Sequence, residues 1–392
     1  MKKKRFLLII IIIIQLTNTG CKFDSTEVSD IAIISGMALD TTENDEIMLS
    51  VLIPVTRAAN FGGLLSGGSP RQESTTLVSE KGYGIMDAYR KIEKKLSRRL
   101  FFSQMGAVFI GENLAKDGIL NVMDFISRNS ESHLGLYVFV TQSPAVKVLS
   151  MQSELERDIV EKFVKQQETG SEFKIDFREL INMVTEEGQE AILPKISLMP
   201  LDVSDNNTVK SSGIDGAAVM HKYKMVGCLD EREARGALVL RNEVEPGMIA
   251  HVKDKKGGVI GMKIINSETK ITPIIRGDQL EIEAKIKAKG YVDENSSGLD
   301  LSDAAEVALL QQKLEQKFNE TINVALLKLQ KDLKSDVLGF GTAVYRKYPK
   351  QWNDYYSCRW DEEFTKLKVK VICNVEIPNV GLQGKRFIPD SE

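Results

Sequence analysis

At 392 residues the chain is too long for one ordinary hydrophobic core, so two or three domains are expected. Residues 1–20 hold four bases and no acid, and without them 52 − 4 = 48 Lys and Arg face 55 Asp and Glu, a net charge near −7 that argues against a nucleic-acid partner. Four cysteines, Cys21, Cys228, Cys358 and Cys373, are too few and too irregularly spaced for a disulfide scaffold or a zinc site.

The chain opens with Lys2, Lys3, Lys4 and Arg5, then nine apolar residues from Phe6 to Ile14, then "QLTNTG". That is the layout of a signal segment over 1–20, with an apolar part too short for a comfortable bilayer span. Cys21 follows at once, and the residues alone leave it open as a lipid attachment point, a metal or redox thiol, or a buried sulfur. Beyond it no apolar run approaches the roughly 18 residues of a membrane helix.

"IAIISGMALD" and "IMLSVLIPV" predict two adjacent strands around the turn "TTENDE". "NFGGLLSGGSPRQESTT" predicts a mobile surface loop, and its glycines form no phosphate-binding pattern. From Glu80 onward Ile85, Tyr89, Ile92 and Leu96 share one helical face, which predicts an amphipathic helix packed on a sheet. "MGAVFIG", "ENLAKDGILNVMDFISRN" and "LGLYVFVTQ" then have the order and lengths of a βαβ unit.

Two helical segments lead to a bridge containing Pro, Asn and Ser, which places a boundary near 200–212. "GAAVMHKYKMVGCLDEREARGALVL" reads as two strands, a short charged helix and a further strand. In the last part "VIGMKII", "ITPIIR" and "LEIEAKIKAKGYV" read as successive antiparallel strands. A long helix follows, with a capping box from Asp303 and Glu306 and a stripe through Val307, Leu310, Leu314, Phe318, Ile322, Ala325 and Leu329. The alternation in "KLKVKVICNVEI" puts Cys373 on the inner face of a closing strand.

The expected fold class is α+β, or mixed α/β: a multidomain chain of mixed sheets flanked by helices, ending in an antiparallel sheet packed with one long helix. Its parts are the signal segment 1–20, an N-terminal α/β domain 21–200, a small middle domain or connector 213–250, and a C-terminal domain 251–385.

Chemistry is hard to find. His133, His221 and His251 are scattered, no nucleophile elbow or nucleotide loop occurs, and no metal, cofactor or catalytic residue is expected. The one concentrated feature is "YRKYPKQWNDYYSCRW", with both tryptophans and four of nine tyrosines among basic residues. Trp352 and Trp360 could close a core; alternatively Arg346, Trp352, Tyr355, Tyr356 and Trp360 form a partner surface, or the aromatics form a glycan platform.

Several blocks resemble a known family. "GC" followed by "D", two residues and "E", then "IAIISGMALD", then "SQMGAVFIGENLAKDGILNVMDFISRNSE", are similar to the N-terminal part of the Ger(x)C family, the C subunits of spore germinant receptors. "DVLGFGTAVYRKYPKQW" with the "KVKVICNVEIPNVG" strand resembles that family's closing pattern, so the likeness covers nearly all of the chain after Cys21. The resemblance implies a three-domain, non-catalytic lipoprotein on the outer face of the spore inner membrane, beside integral membrane A and B subunits. It also implies a diacylglycerol on Cys21, since two acyl chains anchor far more firmly than one. Asn18, Lys22 and Phe23 depart from the family's usual residues around that cysteine. The competing classes are a solute-binding lipoprotein of a transporter, which needs two lobes around a polar cleft, and a protein that binds or remodels cell-wall or cortex glycan.

Overall fold

The structure, a computed structural model, describes residues 27–55, 74–153, 155–169, 172–203, 207–253, 257–277 and 279–380. The leader and Cys21 lie outside them, as does most of the loop expected after Asn60.

Its largest element is a sheet of eight strands: β2 (Gly36–Thr41), β3 (Ile47–Val55), β4 (Ser74–Gly82), β6 (Ala107–Gly111), β7 (Tyr137–Thr141), β8 (Ile192–Val203), β9 (Asn207–His221) and β10 (Lys224–Leu229). Their order is β10-β9-β8-β7-β6-β2-β3-β4, with β2, β6, β7 and β8 parallel and both flanks antiparallel. β1 (Ile31–Ile33) and β5 (Arg99–Phe101) make a small parallel pair beside it.

Alternation along the parallel strands explains why helices cover both faces. Ala38, Ala107, Phe109 and Phe139 turn to one side, under α4 (Ala145–Leu149) and α5 (Ile159–Thr169), where Phe109, Phe139 and Phe163 pack ring on ring. Met37, Leu39, Val108, Ile110, Val138 and Val140 turn to the other. There they meet α1 (Ile85–Lys95), α2 (Glu112–Asp117), α3 (Leu120–Arg128) and α6 (Phe177–Thr185).

The second core face continues without a break into the C-terminal part. α7 (Glu231–Arg241) buries Ala234, Ala237, Leu238 and Val239 between the two halves. A second sheet has the order β11-β12-β13-β14: β11 (Ile249–Lys253), β12 (Val259–Arg276), β13 (Gln279–Asn295) and β14 (Lys368–Asn379). β12 and β13 are antiparallel as expected, β11 adds a further antiparallel strand, and β14 joins β13 in parallel because the helical stretch between them carries the chain back across the sheet. α8 (Ala304–Leu327) lies on that sheet, burying Leu310, Leu314, Phe318, Ile322 and Ala325 as its stripe predicts. The mixed α and β class, the several sheets with flanking helices and the long C-terminal helix are all present.

The structure corrects some local readings. β4 is an additional strand, formed by the Thr75, Thr76, Leu77 and Val78 that follow the Gly-rich loop. "VIGMKII" and "ITPIIR" are one continuous strand, β12, whose central polar residues face outward alternately. "ALVL" is helical, because Asp230 and Glu233 form a capping box that starts α7 and carries it through Leu240. The box expected at Asp303 is replaced: Asp303 accepts from the Ala305 N–H, and the Glu306 carboxylate turns back to the Asp300 N–H. Segment 213–250 does not stand apart, since β9 and β10 complete the eight-stranded sheet.

Candidate functional site

The sequence from Ser335 to Trp360 folds around one carboxylate. After α8 a helical turn, Lys328–Leu333, ends at Lys334 in the left-handed region, which swings the chain onto the end of the large sheet. There the Ser335 hydroxyl donates to the Met220 carbonyl at 2.5 Å, and the Glu190 N–H donates to the Asp336 carbonyl at 3.0 Å.

Asp336 is 3% exposed. Its two oxygens accept from the N–H groups of Leu338 (3.2 Å), Phe340 (3.2 Å) and Gly341 (2.8 Å), and from the Trp360 indole N–H (3.0 Å). Burial pushes the carboxyl up to about 6, against the pull of these four donors, so it is charged at neutral pH. One side chain thereby starts α9 (Phe340–Lys347) and fixes the opening of α10 (Trp360–Lys366).

Close backbone contact completes the seam. Gly341 lies against Gly188, where φ is 74°: a Cβ on Gly341 would stand 2.5 Å from the Gly188 carbonyl oxygen, and one on Gly188 would stand 2.6 Å from the Trp352 ring. Trp352 packs on Trp360 with ring centroids 5.2 Å apart, and its indole N–H reaches Glu187 at 3.4 Å. Thr342 adds a hydrogen bond of 2.8 Å to the Glu187 carbonyl.

The five residues of the aromatic and basic cluster therefore divide. Trp352, Tyr356 and Trp360 are buried, at 1%, 5% and 6% exposure, and their rings are core rather than surface. They face inward because Asp336 and Glu187 offer acceptors for both indole N–H groups from inside the seam. Arg346 and Tyr355 remain outside: Arg346 pairs with Glu186, and Tyr355 carries the Arg359 guanidinium 4.7 Å above its ring. Cys373 is half-buried on the inner face of β14, with its thiol pushed up to about 12 by burial and by Glu315. Cys21, the expected lipid site, lies outside the described residues. Asp336, Gly188 and Gly341 were not singled out from sequence, although "DVLGFG" carries the signal, an acid followed closely by two glycines.

Two family models match in succession. One, described as spore germination protein N-terminal domain, matches residues 24–198; the other, described as spore germination B3/GerAC like, C-terminal, matches 215–381. The chain belongs to the Ger(x)C family. This is the C-subunit family of spore germinant receptors, and the chain is a spore germination protein of that kind.

Ger(x)C relatives align end to end. Spore germination protein KC of Bacillus subtilis (strain 168) is 28% identical over 401 aligned positions, covering 98% of each chain. Spore germination protein YndF of the same organism is 24% identical, covering 97% of this chain and 98% of its own. The crystal structure of the GerBC protein shares the fold, with a TM-score of 0.58 and 18% identity over 88% of this chain and 97% of that one.

Proposed function

We propose that the chain is the membrane-anchored, non-catalytic C subunit of a nutrient germinant receptor. In this reading it is held by a lipid on Cys21 at the outer face of the spore inner membrane and docks on integral A and B subunits. The observation that carries the reading is the succession of both family models along one chain, 24–198 and 215–381, behind a basic and apolar leader that ends at Gly20 and Cys21. Among the described residues no helix is long and apolar enough to cross a membrane, which fits attachment through the leader region. Two acyl chains on Cys21 would hold the protein where one would dissociate.

The deciding experiment is the germination rate of spores lacking the gene, over a panel of nutrients with a receptor-independent trigger as control. Loss of response to particular nutrients alone is expected, with normal response to the control trigger. Complementation with Cys21→Ala is then expected to leave germination impaired and the protein in the soluble fraction. A defect with every trigger would overturn the reading in favour of cortex lysis.

A further inference from the structure

At the outer edge of the same seam three potential metal ligands from distant parts of the chain converge. Glu190 precedes β8, His221 ends β9 and Asp361 lies in the first turn of α10. One donor atom from each lies within 4.8 Å of the other two. His221 Nδ1 is 3.2 Å from Glu190 Oε1, and Nε2 is 3.7 Å from Asp361 Oδ2, so a carboxylate stands at each ring nitrogen. Nδ1 is sealed from solvent and faces the Glu190 carboxylate, which holds the imidazole pKa above its ordinary value, so a cation bound there takes the place of a proton.

A second observation points the same way. A cavity of about 130 Å³ borders the cluster, lined by Glu187, Glu190, Asp336, Asp361 and Lys334 beside the two tryptophans. It has room for several waters, since one needs only about 10–15 Å³ of such volume. Four carboxylates line it, more than Lys334, the adjacent Lys222 and a protonated His221 together offset. The Lys222 ammonium, 2.9 Å from Asp361, is the present counter-ion, but its side chain is 70% exposed and free to move away.

We propose that Glu190, His221 and Asp361 form a binding site for a first-row divalent cation, zinc or manganese in type, with water from the cavity completing its shell. An imidazole with two carboxylates suits those ions, whereas calcium and magnesium favour shells of oxygen alone. Bound there, the ion pins α10 to the β8 and β9 end of the large sheet and displaces Lys222. The scattered histidines gave no sign of this site because its ligands share no local motif; only the packing of α10 on the sheet assembles them.

The test uses the full-length, untagged protein in detergent, stripped with a chelator and titrated calorimetrically with Zn²⁺ and separately with Mn²⁺. One equivalent is expected to bind and to raise Tm, with Mg²⁺ and Ca²⁺ failing to compete. His221→Ala and Asp361→Asn, which remove direct ligands, should each weaken binding by about 30-fold or more, since loss of even an outer-shell partner costs roughly 10–100-fold. Lys222→Gln, which removes the competing ammonium, should tighten binding several-fold. Asp361 is half exposed, so its variant tests the site even if His221→Ala fails to fold. No saturable binding of either ion would overturn the proposal, as would binding that survives Asp361→Asn and is lost in Cys358→Ser, which would assign the ion to a thiol.

Discussion

The centre of the large sheet and the seam around Asp336 are both buried, and they are held in different ways. Across β2, β6 and β7 the core is a repeated pattern of aliphatic and aromatic contacts, with helices on both faces. No single side chain decides that region, because each contact is one of many and close packing shares the loss. At the seam one carboxylate collects four donors, two glycines touch backbone to backbone, and the chain's two tryptophans depend on that arrangement for their indole partners. Distributed packing tolerates substitution; a hub of polar satisfaction does not.

The sharpest way to break this comparison is Asp336→Ala. It strands three backbone N–H groups and an indole N–H away from water, and at roughly 1–3 kcal/mol for a buried unsatisfied group, partly relieved by entering water, a loss of about 4 kcal/mol is expected. Urea unfolding should be followed by two probes, tryptophan fluorescence, which reports the seam because both tryptophans lie there, and far-UV circular dichroism, which reports the whole. In the variant the fluorescence transition should come first, as local opening of the seam. Coincident transitions at the wild-type midpoint would show that Asp336 is no hub.

Titration gives the next largest effect. The folded carboxyl of Asp336 sits at about 6, above its ordinary 3.8, so between those values the folded state binds more protons than the unfolded state. Stability from this group is therefore fully present below about pH 4 and is lost as pH rises through 6, a swing of about 2–3 kcal/mol at 1.36 kcal/mol per unit. Wild type should lose that amount relative to Asp336→Ala between pH 4 and 7 in urea titrations. A difference that stays flat across the window would mean that the four donors cancel the cost of burying the charge.

The sheet supplies the contrasting, smaller number. Ile110→Val in β6 removes one methyl group from a core face and is expected to cost about 1 kcal/mol, with both probes still coincident. A loss as large as that of Asp336→Ala would erase the distinction between the regions.

Legibility follows the same division. β2, β6 and β7 are readable as short continuous apolar runs, buried on both faces, and β13 and the stripe of α8 because burial there follows a period of two or of 3.6. "VIGMKII" and "ITPIIR" read as separate strands, while in the structure the polar "NSETK" between them continues β12, and Thr269 is held at the end of α7: its N–H donates to the Asn242 side chain and its hydroxyl to the Val239 carbonyl. The structure bears out the core reading of Trp352 over the surface one that its aromatic and basic neighbourhood also suits. Its partners Glu187, Gly188 and Trp360 come together only after folding.

The outer rim of the seam carries the smallest stability effect and the most direct test of docking. Arg346 pairs with Glu186 with its side chain 70% exposed, and such solvent-screened pairs contribute little, so Arg346→Ala should leave stability unchanged within about 0.5 kcal/mol. Tyr355 is 44% exposed and packs at 5.0 Å against buried Tyr356, which makes it a rigid aromatic presented to solvent from a fixed base. An anchored ring with the Arg359 guanidinium over its face is the composition favoured at binding hot spots. If the rim meets the integral subunits, Tyr355→Ala with Arg346→Ala should reduce their co-purification several-fold and slow germination, while urea midpoints stay put. Unchanged assembly with a folded double variant would move the docking face elsewhere on the molecule, and the seam would then serve only to hold the two halves together.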